Sequence, residues 1–488
     1  MRADSRIRMR GALAVVAHRK AEGETMSNGE VQYAGRWSIP GVDGTINGVL
    51  RVSRENRRLH LELTAPFGRN SLSERLLPSE HAPCILGELF TGHRVTLLEC
   101  ERVQSRVQFG HHAAELVRAD YAFWGLCDAQ CDGDAFRGGV FDFGETVQWA
   151  GLCHYKMERG EDAPFGSMRW EKEDDFEISI GAGVKVTVTP VQGSISLDSF
   201  ATELKLEQHV KVRIQYDDVC PWSQVMTDAD WFRRFVEMGM GCAVGIEEAE
   251  YLHPSVIYPP EWPTESDDRL WPCAVSPRRE GLGVGHGGAL SYYYLFNLSE
   301  ARECGALAAW FDKRERLEPI IELYGLVYSD RVPSAEALFL NLTQALETLH
   351  ARFYAANMRA YLSRVDELCA CAGDGAGGET LRHFLCDEGQ QKTRGVYLKS
   401  RLSDLLYADG VRPVEPGDVK FMSFPERLVA TRNYYTHYDP KRKDGAFGTD
   451  EIPLVNSELI ALLEYHLMVL VGFDSSLAAE RVRRRRGC

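Results

Sequence analysis

The stretch "TINGVLRVSRENRRLHLELTAPF", residues 45–67, sets the class of the N-terminal half. On either side of "RENR" (54–57), apolar and polar residues alternate. A period of two puts Leu59, Leu61 and Leu63 on one face of a strand and His60 and Glu62 on the other. Two such runs joined by four polar residues predict a β-hairpin. The pattern continues outward through "HRVTLLECERV" (93–103), "AELVRADYAFWGL" (114–126), the glycine-centred hairpin "FEISIGAGVKVTVTPV" (176–191) and "KLEQHVKVRIQYD" (205–217). Strands at this density, with no long helix between them, predict a β-sandwich or a curled antiparallel sheet from about residue 33 to 220.

"DADWFRRFVEMGMG" (228–241) predicts a helix with a glycine exit, and 252–290, rich in Pro, Gly and Trp, an irregular connection. Within that connection "GVGHGG" (283–288) is formally a GxGxxG, but the aromatic, strand-like "ALSYYYLF" follows it where a dinucleotide site needs a helix. Beyond about residue 313 the period becomes helical. After Pro333, with Ser334 as N-cap, Leu338, Leu342, Ala345, Leu346, Leu349 and Phe353 form one apolar stripe. "NSELIALLEYHLMVLVGF" (456–473) is a second strong helix, capped by Asn456 or Ser457. The fold class is therefore α+β. The expected division is a disordered extension over 1–28, a β-rich domain over 29–310 and a helical bundle over 311–488, with the boundary near 305–330.

A chain of 488 residues is too long for one core, which agrees with this division. Its net charge of −15 argues against indiscriminate nucleic-acid binding, so a polyanion would have to be held by a local basic patch. Thirteen cysteines fall in no framework or zinc spacing, which points to free thiols in a reducing cytoplasm. There is no run of about 18 apolar residues, and "ALAVVA" (12–17) is too short and too quickly followed by "HRK" to read as a secretory core. No membrane partner is expected.

Near the C-terminus stands "FPERLVATRNYYTHYDPKRK" (424–443). Ser423 to Glu426, "SFPE", is a capping box that opens a helix, and Pro440 should stop it near Tyr438. His437 then lies in the last turn, where the helix dipole favours positive charge, and shares a face with Asn433 four residues earlier. Arg432 aligns with Leu428 and points partly inward. Lys441, Arg442 and Lys443 follow, and Arg481 and Arg483–Arg486 close the chain, a supply of positive charge for a polyanion. A guanidinium can fork two phosphate oxygens, and an imidazole can move a proton near neutral pH. A bland reading fits too: an arginine paired within a bundle and a histidine capping carbonyls. As a pattern Arg-x4-His is cheap, for Arg106 and His111 repeat it in a strand-like region.

"RNYYTH" (432–437) resembles the R-[polar]-x3-H signature of HEPN domains, helical bundles that often act as metal-independent ribonucleases. "FLNLTQALETLHARFY" (339–354) resembles the first long helix of the HEPN domain in ApeA-like anti-phage proteins. "GRWSIPG", "INGVLRV", "ILGELFTGHRVTLLEC" and "FDFGETVQWAGL" look like the N-terminal domain that precedes it. The resemblance spans roughly residues 33–475. It implies an abortive-infection effector whose HEPN dimer, or higher homo-oligomer, cleaves cellular RNA, tRNA above all, without cofactor or metal and in response to a phage-derived trigger. On this sequence it assigns catalysis to Arg432 and His437 with Asn433 between them, makes Glu347 a candidate to orient Arg432, and leaves Lys441, Arg442 and Lys443 to hold RNA. The competing expectation is a non-catalytic HEPN protein that dimerises or binds. Its β-rich half would recognise a phage protein or a carbohydrate through aromatics such as those of "DYAFW" or "SYYYLF".

Overall fold

The computed structural model describes residues 25–27, 30–53, 58–65, 81–108, 111–126, 136–158, 167–181, 183–197, 204–254, 272–277, 291–329, 334–354, 365–373, 375–387, 392–393, 398–406, 424–438 and 440–486. The "RENR" turn, "GVGHGG" and the Ser423 cap fall outside them. The chain folds as two compact units that alternate along the sequence. One comprises Met1–Asp142, Arg213–Asp228 and Glu247–Glu280, the other Phe143–Val212, Ala229–Ile246 and Gly281–Cys488.

In the first unit a short strand β1 (Thr25–Ser27), within the stretch expected to be a disordered extension, pairs with the start of β2 (Glu30–Ser38); residues 1–24 lie outside the described residues. From β2 the chain continues through β3 (Ile46–Ser53), β4 (Leu59–Leu63), β5 (His81–Leu89), β6 (Arg94–Gln108), β7 (His111–Ala119), β8 (Tyr121–Trp124) and β9 (Phe136–Asp142). Strands β2, β3, β4, β7, β6 and β5 pair antiparallel in that order, and β5 pairs back on β2. The curled sheet thus closes into a barrel, which leaves these strands no open edge between them. The alternation seen in sequence fills the interior: Leu50, Leu59, Leu61 and Leu63 are buried with Ile85, Val95, Leu97 and Val117. Closure runs over Gly35–Ser38 against Leu86–Leu89, and its tightest fit is Trp37 opposite Gly87. A Cβ on Gly87 would lie 2.3 Å from the Trp37 ring, so only glycine admits the buried indole.

The barrel sheet branches at β6. One edge of β6 keeps β5, while its other edge pairs with β8 over Val95–Leu98 and with β7 from Glu101 onward. Glu99, at φ 51°, is the left-handed residue at this changeover. Beyond β8 come Pro272–Pro277, Glu248–Leu252 and β9. Pro272–Pro277 is therefore a strand inside the stretch expected to be irregular. "DYAFW" is a packing element rather than an open platform, because Phe123 is fully buried against Phe136 and Tyr251. Arg106 and His111 lie on the β6–β7 pair, as a strand-borne copy of the Arg-x4-His pattern should.

The second unit carries the predicted hairpin Phe176–Ser179 with Val184–Leu197. Its helical part is built from α1 (Arg314–Tyr324), α2 (Ala335–Phe353), α3 (Leu398–Leu406), α4 (Phe424–His437), α5 (Ile452–Val471) and α6 (Ser475–Arg486), with shorter helices between. Ser334 caps α2 as expected, its hydroxyl accepting from Ala337 N at 3.2 Å. Leu342, Ala345, Leu346 and Leu349 are buried along its stripe, together with Phe339. Helix α5 is capped at Glu451, five residues before the predicted Asn456, with Pro453 in its first turn. Asn456 is not a cap but a buried residue that donates to Ala335 O at 2.8 Å and ties α5 to α2. By length and hydropathy α5 could cross a membrane, yet about two thirds of it is buried within this unit, as the core helix of a bundle is. "SYYYLF" is not a strand: Ser291–Tyr293 form a 3-10 turn, and Tyr294, Leu295 and Phe296 are buried.

Candidate active site

Helix α4 has two unlike halves. Its first half is anchored on one face. Phe424, Leu428 and Thr431, spaced four and three apart, are buried. Arg427 forks Glu451 at 2.9 and 3.3 Å and lies 4.0 Å over the Phe447 ring. That hydrogen bond, with a second from Gly448 N, lowers the Glu451 carboxyl below its ordinary value. Thr431 accepts from Phe447 N at 2.9 Å, and Glu426 meets Lys399 of α3 at 2.5 Å. The segment after the helix is thus tied back onto its own start.

The second half carries the predicted residues. Arg432 is half-buried, as its alignment with buried Leu428 predicted. Its guanidinium reaches only Asn433 Oδ1, at 3.5 Å, and among the described residues it has no carboxylate partner. Among the described residues, the arginine paired with a bundle carboxylate is Arg427. Glu347 sits half-buried on α2, with no hydrogen bond or ion pair to Arg432 among the described residues. Burial, and then the charge of Glu336, eleven residues or about 16 Å of helix before Glu347, raise the Tyr435 phenol above its ordinary value. His437, the last helical residue, is exposed and makes no hydrogen bond to a described residue. Arg432 and His437, five apart, stand about 140° apart around the axis and about 7.5 Å along it.

The helix ends where Pro440 predicted. Tyr438 adopts φ 49°, the left-handed cap conformation, and its N–H returns to Tyr434 O at 2.5 Å. Lys441, Arg442 and Lys443 follow on the 3-10 turn Pro440–Gly445, where the Lys443 side chain is exposed. Three tyrosines surround this end. The Tyr434 and Tyr435 rings lie 5.0 Å apart, and Tyr438 stands 5.8 and 6.2 Å from them. They were visible in "RNYYTHY" but not singled out, because tyrosines in a helix usually pack.

The C-terminal arginines do not form a free cationic surface. Arg485 donates to Glu464 at 2.7 Å and to the carbonyls of Met238, Gly239 and Tyr293. Arg484 reaches Tyr294 O at 3.1 Å, Arg481 pairs with Glu300, and Arg486 pairs with Glu458. Glu464 also accepts from the Tyr324 hydroxyl at 2.7 Å. Burial, and then the Glu464 charge, raise the phenols of Tyr324 and Tyr328 well above their ordinary value. A second polar cluster in the bundle core holds His350 against Asp404 at 2.9 Å, and His466 between Tyr354 at 2.7 Å and Leu405 O at 2.8 Å. Burial lowers both imidazoles, His466 to about 4.

Two family models match the chain. ApeA N-terminal domain 1 matches residues 32–272, and Apea-like HEPN matches residues 340–477. The chain is an ApeA-like HEPN protein. The two segments together span more than three quarters of it. The HEPN match takes in all of α4, Glu347 and the basic turn, and stops before Arg481. HEPN domains are in general ribonucleases that bind RNA and often dimerise. No curated protein and no solved structure matches the chain.

Proposed function

We propose that this ApeA-like HEPN protein is an anti-phage endoribonuclease of the cytoplasm, with Arg432 and His437 as its catalytic pair and tRNA as its target. The observation that carries this reading is Arg432: a half-buried guanidinium without a carboxylate partner among the described residues, five positions before an exposed, unbonded histidine at a helix end. RNA supplies its own nucleophile. The 2′-oxygen bonds to the adjacent phosphorus, the bond from phosphorus to the 5′-oxygen breaks, and the products are a 2′,3′-cyclic phosphate and a 5′-hydroxyl. One proton leaves the 2′-hydroxyl and one must reach the departing 5′-oxygen. Arg432 stabilises the charge that gathers on the non-bridging oxygens, and Asn433 holds the guanidinium from the side. A single imidazole cannot take one proton and deliver the other in one concerted step. Two copies of α4 facing each other across a two-fold axis provide the second imidazole, so the working species is a homodimer or a multiple of it.

The test is cleavage of tRNA by the full chain and by His437→Ala and Arg432→Ala. Each variant is expected to lose at least about 100-fold in rate with an unchanged melting temperature, and the wild-type products to carry cyclic phosphate ends. If the double variant still protects cells from phage, the catalytic reading falls and a binding role takes its place.

A further inference from the structure

We propose that Tyr434, Tyr435 and Tyr438 form a stacking platform for an unpaired nucleobase beside the scissile phosphate, which makes the site selective for single-stranded RNA. The placing of the phosphate rests on the ribonuclease reading above; the platform itself rests on the following geometry.

The three rings converge at one helix end, with centroid separations of 5.0, 5.8 and 6.2 Å. Tyr438 is 66% exposed, so the cluster opens to solvent instead of closing a core. Its backbone is the second sign. A left-handed cap residue is usually glycine or asparagine, and a bulky aromatic there is a local strain. The φ of 49° projects this residue off the end of α4, one position after His437. The third is charge. Tyr435 is three residues from Arg432 and Tyr434 three from His437, so each lies on the same face as one member of the pair. A guanidinium without a carboxylate partner among the described residues, on the same helix end as exposed π-faces, matches a nucleotide, which presents a phosphate and a flat base together. Tyr292 and Tyr293, an exposed aromatic pair elsewhere among the described residues of this unit, lack this combination: the arginine over Tyr292, Arg484, is already bonded to Tyr294 O. A base within a duplex has both faces stacked and cannot reach such a surface, whereas a loop or single strand can.

The probe is a fluorescein-labelled oligonucleotide of about twelve nucleotides with every 2′-hydroxyl replaced by fluorine, so that it binds without being cut. Its anisotropy is titrated with the full-length protein, once single-stranded and once annealed to its complement. Wild type should favour the single strand. Tyr438→Ala should weaken single-strand binding about 5- to 150-fold, the value of one lost base stack, and leave duplex binding unchanged, while Tyr438→Phe keeps the wild-type affinity because the ring, not the hydroxyl, does the stacking. The proposal is overturned if Tyr438→Ala binds as wild type, if the Phe variant loses as much as the Ala variant, if the wild type binds no single strand, or if sedimentation shows that the loss follows from dissociation of the assembly. The two readings separate cleanly. Ring-dependent binding without cleavage of the unmodified strand keeps the platform and sinks the nuclease. Cleavage that needs His437 and ignores Tyr434→Ala and Tyr438→Ala keeps the nuclease and sinks the platform.

Discussion

Replacing Arg485 by alanine asks whether the C-terminal arginines hold the bundle or hold RNA. In the fold Arg485 is 13% exposed and Glu464 only 3%. The guanidinium satisfies the carboxylate at 2.7 Å, and it also caps the carbonyls of Met238, Gly239 and Tyr293, of which Gly239 O lies at 2.7 Å. Truncation leaves a buried carboxylate whose remaining donors are the hydroxyls of Tyr324 and, more distantly at 3.5 Å, Tyr328. Breaking a buried pair from one side destabilises by about 3–5 kcal/mol. The two phenols offset part of this and the orphaned carbonyls add to it, so the expected loss stays in that range. Arg485→Lys should fall between, since an ammonium can meet Glu464 but cannot fork to the carbonyls as well. The double variant Arg485→Met with Glu464→Met should recover much of what either single change loses, because no unpaired charge remains.

The assay is urea unfolding of each variant followed by far-ultraviolet circular dichroism, with RNA affinity measured in parallel over a range of salt. If the arginine tail is structural, the midpoint falls in Arg485→Ala and the salt dependence of RNA binding keeps its slope. A tail that grips phosphates gives the opposite pair of results: stability within about 0.5 kcal/mol of wild type, and a salt slope smaller by about one for the lost charge. That outcome would refute the reasoning, because it would mean the internal pairing contributes little.

Two further results follow from other parts of the bundle. Burial holds His466 at about 4 against 6.5 in the unfolded chain, so the unfolded state takes up the proton first. Stability should be full above pH 6.5 and fall as pH drops towards 4, at up to about 1.4 kcal/mol per pH unit and about 3 kcal/mol in all; His350 adds in the same direction, and pH-dependent urea melts of His466→Gln should show a shallower decline. Tyr438→Gly, at φ 49°, should raise stability by about 1 kcal/mol through relief of the left-handed strain while weakening single-strand RNA binding, so that melting temperature and affinity move in opposite directions.

The strands of the barrel were legible because one buried face writes a period of two, as in Leu59, Leu61 and Leu63. Closure was not, since the β2–β5 ladder needs Trp37 to fit over Gly87, and a glycine needed for one indole looks in sequence like any other glycine. The start of α5 was misplaced for a related reason. Asn456 and Ser457 have the chemistry of caps, but the partner that decides the matter, Ala335 O, lies 121 residues away. The tail arginines show the same limit for charge. Composition counts cations, and only the fold reveals that Arg481, Arg485 and Arg486 face Glu300, Glu464 and Glu458. The candidate site was more legible because its geometry is local: Pro440 stops the helix, and Leu428 sets the side on which Arg432 emerges.

The contrast within α4 suits the proposed active site, because one short helix is anchored in its first half and open in its second. Every polar group in its first half with a partner across the fold is used to anchor it: Glu426 to Lys399, Arg427 to Glu451, Thr431 to Phe447 N. One turn later, Arg432 and His437 have no such anchor among the described residues. A side chain already bound to a carboxylate has to be released before it can meet a phosphate, and that release subtracts from binding. Placing the fixed contacts on the preceding turns holds the backbone beneath Arg432 and His437 without engaging the side chains themselves. The arrangement is preorganised in its scaffold and open in its donors, which is what electrostatic stabilisation of a transition state requires. It also makes the anchor testable apart from the chemistry. If the proposed pair is catalytic, Arg427→Ala, which frees Glu451, should lower the rate of tRNA cleavage by misplacing Arg432 and His437, and an unchanged rate would refute the anchoring role.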